Sequence, residues 1–386
     1  MISVLAINNY RSILDLKMPL GQLNVISGPN GSGKSNIYRA LRLLSQTASG
    51  GVIKALAQEG GLNSTFWAGP ETLSKAMLKG EAAIEGSVRK KVVRMRLGFS
   101  TPELSYAISL GLPTPAPTIF SLDPEIKREC IWAGPSFRPA NLLVDRVGPI
   151  VKIRSSRTWE VIDHHLNVFD SLFSQIGNIK ETPEIICLRE TIRNWRFYDH
   201  FRSDRDAPAR KTQIATRTPV LSNEGDDLAA ALQTIKEIGD SEALDKAISD
   251  AFPGAKLIIT QHNGGYLSVG LSQQGLLRPL SCSELSDGTL RYLLLVAALL
   301  TPRPPQLLIL NEPETSLHPD LIPALAKLIL HASEKTQVWV VSHASLLIDA
   351  LKQYPGCQLI ELEKQVGQTK ILGQSMLDLP SWYWPD

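Results

Sequence analysis

Residues 28–35, GPNGSGKS, set Gly28, Gly33, Lys34 and Ser35 at the spacing of a phosphate-binding loop. Glycines there permit backbone angles that turn successive N–H groups toward one point, and a helix starting at the loop adds its dipole. A lysine at the helix start reaches the β- and γ-phosphates of a nucleotide, and the next hydroxyl can ligate Mg2+. An ordinary glycine-rich turn accounts for the glycines but not for the Gly-Lys-Ser triplet. Gly28, Pro29, Asn30, Gly31, Ser32, Gly33, Lys34, Ser35 and Asn36 are therefore expected to bind a nucleoside triphosphate, with Ser35 on the metal.

A second group of reactive side chains lies in LLILNEPETSLHP, residues 307–319. An apolar strand ending in Asp-Glu would supply a magnesium-binding carboxylate and then a catalytic one. Here Asn311 takes the first place and Glu312 the second. An asparagine carbonyl accepts the same hydrogen bond from a metal-bound water but brings no charge. Charged and neutral hydrogen bonds differ by about 1 kcal/mol, roughly tenfold in affinity or rate. Asn311, acting through water, should thus weaken a metal site without abolishing it, and Glu312 remains available as a base. Glu314 is near enough in sequence to restore part of the missing charge.

These groups need rigid elements behind them. Leu23, Val25 and Ile26 predict a strand entering the phosphate loop, and Ile37, Ala40, Leu41 and Leu44 a helix leaving it. SELSDGTLRYLLLVAALL (283–300) predicts a helix starting near Asp287, whose free N–H groups form a second jaw for phosphate. Ser and Asp are also ordinary helix caps, so this stretch gains meaning only beside the other two. PPQLLILNEPETSLHPDL (304–321) predicts a buried strand running into acidic residues and a turn, and KTQVWVVSHASLLIDAL (335–351) another ending at Ser342-His343, with a helix over 320–332 between them. Strand–helix–strand at this spacing implies parallel pairing and gathers Glu312 and His343 at one sheet edge.

The ordered set of phosphate loop, Leu-Ser-Asp-Gly, Glu-Pro-Glu, Leu-His-Pro and Ser-His resembles the ATP-binding-cassette ATPases of the RecF, SMC and OLD-nuclease lineage. More narrowly, NNYRSI, WRFYDHF, ELSDGTLRYL, LNEPETSLHPDL and VVSHA are similar to the stand-alone bacterial ATPases of the AAA15/AAA21 group, over essentially the full length. The resemblance implies ATP and Mg2+ as cofactors and a homodimer formed through an ATP sandwich. In it, Ser286 and Gly288 match the signature loop that touches the γ-phosphate held by the opposite subunit. Glu312 matches the glutamate that polarises the attacking water, and His343 the switch histidine on the γ-phosphate, alongside Lys34. TSLHP (315–319) matches the loop that crosses the dimer interface. Gln46 and Gln175 are both candidates for the glutamine loop.

The chain has 386 residues, 43% of them hydrophobic, and a net charge of +2, so any nucleic-acid surface has to be local. Cys130, Cys187, Cys282 and Cys357 show no paired spacing and read as buried reduced thiols. The longest apolar run, LLLVAALL, falls far short of the roughly 20 residues that span a bilayer. With no leader-like start, a cytoplasmic location without membrane contact is expected.

Between the anchors, 84–112 predicts antiparallel strands around STPE, 111–118 a Pro-rich connector, and 144–154 further strands. Residues 255–271 read as a hairpin turning at Asn-Gly-Gly. Residues 189–217 interleave basic side chains with Trp195, Phe197, Tyr198 and Phe201. One reading is a DNA patch of cations and stacking rings; the other is a half-buried helix whose aromatics enter the core, followed by a basic loop. His164-His165 reads as a solvated pair, and Trp382, Tyr383 and Trp384 as packing or contact residues.

The expected fold is an α/β P-loop NTPase of the ABC-ATPase type. It has a mixed or parallel core sheet, an antiparallel β subdomain and an inserted helical lobe. The boundaries are 1–155 for the N-terminal ATPase part, 156–252 for the mainly helical lobe and 253–386 for the C-terminal part. The expected function is slow ATP hydrolysis with ATP-driven dimerisation, in DNA maintenance or anti-phage defence. The alternative is an ATP sensor that barely turns over and gates a partner effector protein.

Overall fold

Alternating apolar residues at the N-terminus build an antiparallel layer before the phosphate loop is reached. The structure, a computed structural model, describes residues 1–386 except 71–92, 114–118, 121–122, 156–157, 177–181 and 386. It divides into two units, one of residues 1–21, 27–195 and 360–386, the other of residues 22–26 and 196–359.

In the first unit, β1 (Val4–Tyr10) pairs antiparallel with β2 (Ile13–Pro19) and with β4 (Met95–Ser100). The sheet continues through β5 (Leu104–Gly111), β6 (Glu125–Ala133), β7 (Leu142–Val147), β8 (Ile150–Ser155) and β9 (Thr158–Asp163). Among the described residues its order is β2-β1-β4-β5-β6-β7-β8-β9, antiparallel throughout. The strands expected around STPE are β4 and β5; residues 84–92 and most of the Pro-rich connector lie outside the described residues. The helix α1 (Lys34–Thr47) packs on β1 and β4 through a face that includes Ile37, Ala40, Leu41 and Leu44. Short helices α2 (Val52–Gln58), α3 (Gly61–Thr65) and α4 (Leu172–Gln175) and the longer α5 (Pro183–Arg193) complete its helical part. Beneath the sheet a fully buried Arg146 donates to Glu129 at 2.5 Å, and the Tyr106 and Ser171 hydroxyls and the Leu172 N–H also donate to that carboxylate. Trp382 is buried against Trp132, with ring centroids 5.4 Å apart.

The second unit is built on parallel strands. The order β10 (Arg196–Tyr198), β15 (Leu307–Asn311), β16 (Gln337–Val341), β3 (Leu23–Ser27) places Asn311 opposite Val341 and Val341 opposite Ile26. Strands β15 and β16 are apolar on both faces because helices cover both sides of a parallel sheet. The helix α8 (Asp287–Leu299) is buried at every position from Leu290 to Leu299, so apart from Arg291 its sequence there is apolar all round rather than striped. The helices α9 (Ile322–Ser333) and α10 (Ser345–Lys352) follow β15 and β16. A smaller sheet holds β11 (Gln213–Ile214), β12 (Lys256–His262), β13 (Tyr266–Ser272) and β14 (Leu280–Ser281), with β12–β13 the expected hairpin about Asn-Gly-Gly. The helices α6 (Leu228–Ile238) and α7 (Ser241–Ala251) pack against it. The C-terminal β17 (Cys357–Gln365) and β18 (Gln368–Ile371) form an antiparallel hairpin whose paired residues, 362–371, belong to the first unit.

The sequence predicts one mainly helical lobe over residues 156–252. They begin with the edge strand β9, and the unit boundary falls inside them at Trp195 and Arg196. The helix expected to carry the aromatics of 195–201 stops at Arg193; residues 196–198 are instead a strand beside Leu308–Leu310. Strand pairing with an apolar neighbour outweighs the local helical pattern there.

Candidate nucleotide-binding site

The phosphate loop shows why its residue types are needed. Gly28, Gly31 and Gly33 have φ of +145°, +81° and +107°, backbone that a side chain makes costly. A Cβ on Gly33 would stand 2.0 Å from Thr369 Oγ1, and one on Gly28 would stand 2.4 Å from the Leu362 carbonyl oxygen. The helix α1 begins at Lys34 with no side-chain cap, leaving its first-turn N–H groups to the loop. Lys34 Nζ donates to the carbonyls of Gly28, at 2.6 Å, and Pro29, at 3.2 Å, holding its charge within the loop. Ser35 is exposed. The Ser32 hydroxyl is buried without a hydrogen-bond partner among the described residues. A loop with left-handed glycines, an uncapped helix start, a lysine and an exposed serine fits a magnesium–triphosphate group.

In the second unit, β15 and β16 end side by side. Glu312, the first residue after β15, has φ of +47°, strained for a residue with a side chain, and its N–H donates to the Val341 carbonyl at 2.8 Å. Its half-exposed carboxylate lies 3.3 Å from His343 Nδ1. Glu314 is buried; its Oε1 accepts the Ser342 hydroxyl at 2.5 Å and the Ala344 N–H at 3.3 Å, while Oε2 has no partner among the described residues. The Ser342 N–H donates to the Ile26 carbonyl at 3.1 Å, one residue before the chain leaves β3 for the phosphate loop. Glu314 is thus aimed at the loop that carries His343.

The start of α8 is held from several directions. Ser286 is its N-cap: the hydroxyl accepts the Thr289 N–H at 3.2 Å. Ser286 and Asp287 are exposed and Gly288 half-buried. A Cβ on Gly288 would lie 2.8 Å from the carbonyl oxygen of Ser316, whose φ is +65°, so the signature loop and the Leu-His-Pro loop are packed together. Further along α8, buried Arg291 donates to the Glu312 carbonyl at 3.1 Å and meets His200 Nδ1 at 3.0 Å. Burial pulls the Arg291 guanidinium below its ordinary value, and Glu314 and Glu312 oppose that shift.

Arg210 lies in the basic tract of residues 189–217. Its side chain is 7% exposed and donates to the carbonyls of Ser203, Cys282 and Leu285 and to the Asp287 carboxylate. It is a strut under the signature loop, and sequence carried no signal for that role. Arg202 pairs with Asp204 at 2.8 Å; Arg205 and Lys211 are exposed. Phe197, Tyr198 and Phe201 are buried, as is Trp195 in the other unit. Gln46 lies about 18 Å along α1 from Lys34, and Gln175 bonds to Asp170 at 3.3 Å. Neither is tied to the phosphate loop by a hydrogen bond. His164 and His165 are exposed.

The sequence profile of the family described as "AAA domain, putative AbiEii toxin, Type IV TA system" matches residues 23–349. The chain belongs to that AAA family. A stretch of 44 residues is 46% identical to the OLD nuclease of Thermus scotoductus, 11% of this chain and 8% of that protein. The chain therefore spans under a tenth of that relative's length. An Smc head bound to the C-winged helix domain of ScpA aligns over 97% of this chain and 98% of its own, at 15% identity and a TM-score of 0.51. The SMC head domain of Thermotoga maritima aligns over 97% and 99% at 14% identity, with a TM-score of 0.44. The AAA family and the first of these likenesses give the fold as a P-loop α/β fold of the ABC-ATPase type, and the family's role is that of an ATPase. Among the described residues no helix is long and apolar enough to cross a membrane.

Proposed function

We propose that this AAA-family chain is a Mg2+-dependent ATPase whose two copies associate head to tail around ATP. The observation that carries this reading is the 3.3 Å approach of Glu312 to His343 at the ends of adjacent parallel strands. Bound with Mg2+, ATP supplies the phosphoanhydride that water attacks. Lys34 would balance phosphate charge, and Ser35, with Asn311 through a water, would hold the Mg2+, which would polarise the phosphates. Glu312 Oε1 takes the proton of the attacking water, and His343 steadies the γ-phosphate. Ser286 and Gly288 offer the N-terminus of α8 to the triphosphate held by a second copy. Ser286 is exposed and caps the helix, and the half-buried Gly288 lies in its first turn, which supports that role. The proposed setting is DNA maintenance or anti-phage defence in the cytoplasm, which suits a family described by a toxin–antitoxin system and a relative that is a nuclease.

Asn311 favours a second reading, an ATP sensor that turns over slowly and gates a partner effector. The Glu312→Gln protein separates them when its size and ATP turnover are measured with ATP and Mg2+, with and without DNA. An ATPase accumulates as an ATP-bound dimer and loses the turnover of the parent. Dimerisation with turnover undetectable in both proteins supports the sensor. A variant that hydrolyses ATP at the parent rate rules out Glu312 as the base.

A further inference from the structure

Two hydroxyls outside residues 23–349, the part matched by the family profile, reach the phosphate loop. Thr369, in β18, is fully buried and its Oγ1 lies 2.8 Å from the Ser32 carbonyl. The same Oγ1 lies 2.6 Å from Ser12 Oγ, and Ser12 Oγ lies 2.7 Å from Asn36 Nδ2. The Thr369 N–H also donates to the Ser12 carbonyl at 2.8 Å.

Proton counting fixes the direction of this chain. A carbonyl only accepts, so the single hydroxyl proton of Thr369 goes to Ser32. Ser12 must then donate its own proton to Thr369, which leaves the Ser12 oxygen to accept from the Asn36 amide. The order is Asn36 to Ser12 to Thr369 to Ser32, with neither hydroxyl proton left over. Bonds aligned in this way reinforce one another. The chain ties the first turn of α1 to the carbonyl of the loop before it.

Two further features are consistent with a built device. The Thr369 side chain occupies the space that a Cβ on Gly33 would need, and Leu362 of the same hairpin does so at Gly28. Ser12 is presented by a turn with Asn9 at φ of 62° and Arg11 at 49°, held by Glu59, which accepts from Arg11 at 2.8 Å and from the Tyr10 hydroxyl at 2.7 Å. Strained backbone of this kind persists only where its surroundings enforce it.

We propose that Ser12 and Thr369 are positioning residues for the nucleotide: their one-way hydrogen-bond chain keeps the phosphate loop in its binding shape. This rests on the reading that the loop binds ATP. The test compares binding of a fluorescent ATP analogue with Mg2+, and steady-state turnover, in the full-length parent and Thr369→Val, Thr369→Ser, Ser12→Ala and Lys34→Ala. Valine keeps the shape but leaves the Ser32 carbonyl without its donor, so affinity falls roughly tenfold and KM rises while kcat changes little. Serine keeps the hydroxyl and binds within about threefold of the parent. Ser12→Ala added to Thr369→Val costs little more, because both break one chain. Parent-like binding by Thr369→Val, additive losses in the double variant, or a tenfold loss in Thr369→Ser would each overturn the proposal. If Thr369→Val does not fold, parent-like binding by Ser12→Ala overturns it and weakened binding, with Thr369→Ser unchanged, supports it. Lys34→Ala separates the two readings: if it binds as the parent does, the nucleotide assignment itself fails. If it loses binding while Thr369→Val does not, only the positioning chain fails.

Discussion

The Ser342 hydroxyl donates to Glu314 Oε1 at 2.5 Å, joining the loop after β15 to the loop after β16. With the Ala344 N–H on the same oxygen, this bond fixes the backbone on both sides of His343. Replacing Glu314 with alanine leaves a hydroxyl and an N–H without their acceptor in a buried place, at a cost of about 2 kcal/mol. We expect Glu314→Ala to lower the unfolding free energy by that amount and ATP turnover about tenfold, since His343 is no longer held beside Glu312. Denaturant unfolding and a turnover assay on the same sample check both; unchanged turnover would separate Glu314 from the switch loop.

Asn311 ends β15 opposite Val341, one residue before Glu312. Aspartate there adds a carboxylate beside Glu312 and Glu314. Without metal the added charge is repelled by its neighbours; with Mg2+ it gains a charged hydrogen bond worth about 1 kcal/mol more than the neutral one. Asn311→Asp is expected to need roughly tenfold less Mg2+ for half-maximal turnover, with ATP affinity nearly unchanged. A magnesium titration of turnover reads this directly, and an unmoved midpoint would remove Asn311 from the metal site.

Arg210 and its neighbours make separable predictions. Arg210→Met strips the donors from the carbonyls beneath the start of α8 and frees Asp287, so stability falls by about 2 to 3 kcal/mol and the ATP-driven association proposed above weakens. Arg205 and Lys211 are exposed, so Arg205→Ala with Lys211→Ala leaves stability within about 0.5 kcal/mol. If this loop binds DNA, the double variant shows a shallower salt dependence in a gel shift, by roughly one to two counterions. An unchanged salt slope would dispose of the patch.

The parts of the candidate site that could be read from sequence are those whose signal is local. The Gly-Lys-Ser triplet sits between the strand and helix that its neighbours specify, and Glu312 and His343 fall at the ends of short apolar runs bounded by turn residues, the second of them valine-rich. The parts that stayed hidden depend on contacts far apart in sequence. Thr369 is one polar residue in a C-terminal hairpin, and nothing near it points to Ser32. Arg196–Tyr198 is a strand of only three residues, too short to show a period, and exists because Leu308–Leu310 offers a partner. Arg210 carried a charge that could be counted, but whether it met phosphate or its own chain depended on burial.

The cysteines allow a test that needs no nucleotide. Burial pushes the thiols of Cys282 and Cys357 up to about 11 and raises that of Cys130 as well, the Asp145 carboxylate adding to the last; Cys187 is exposed. The thiolate is the reactive form, so at pH 8 iodoacetamide should label Cys187 alone in the folded chain and the other three only in denaturant. The same shifts set a sign for stability. Raised folded-state values mean that the folded chain holds these protons more tightly, so the contribution is complete below the ordinary thiol value near 9 and is lost as pH rises through about 11. Unfolding free energy should therefore decline across that alkaline window, and Cys282→Ser should flatten part of the decline. Labelling of Cys282 at pH 8 at the rate of Cys187 would show that the segment beneath the signature loop opens readily.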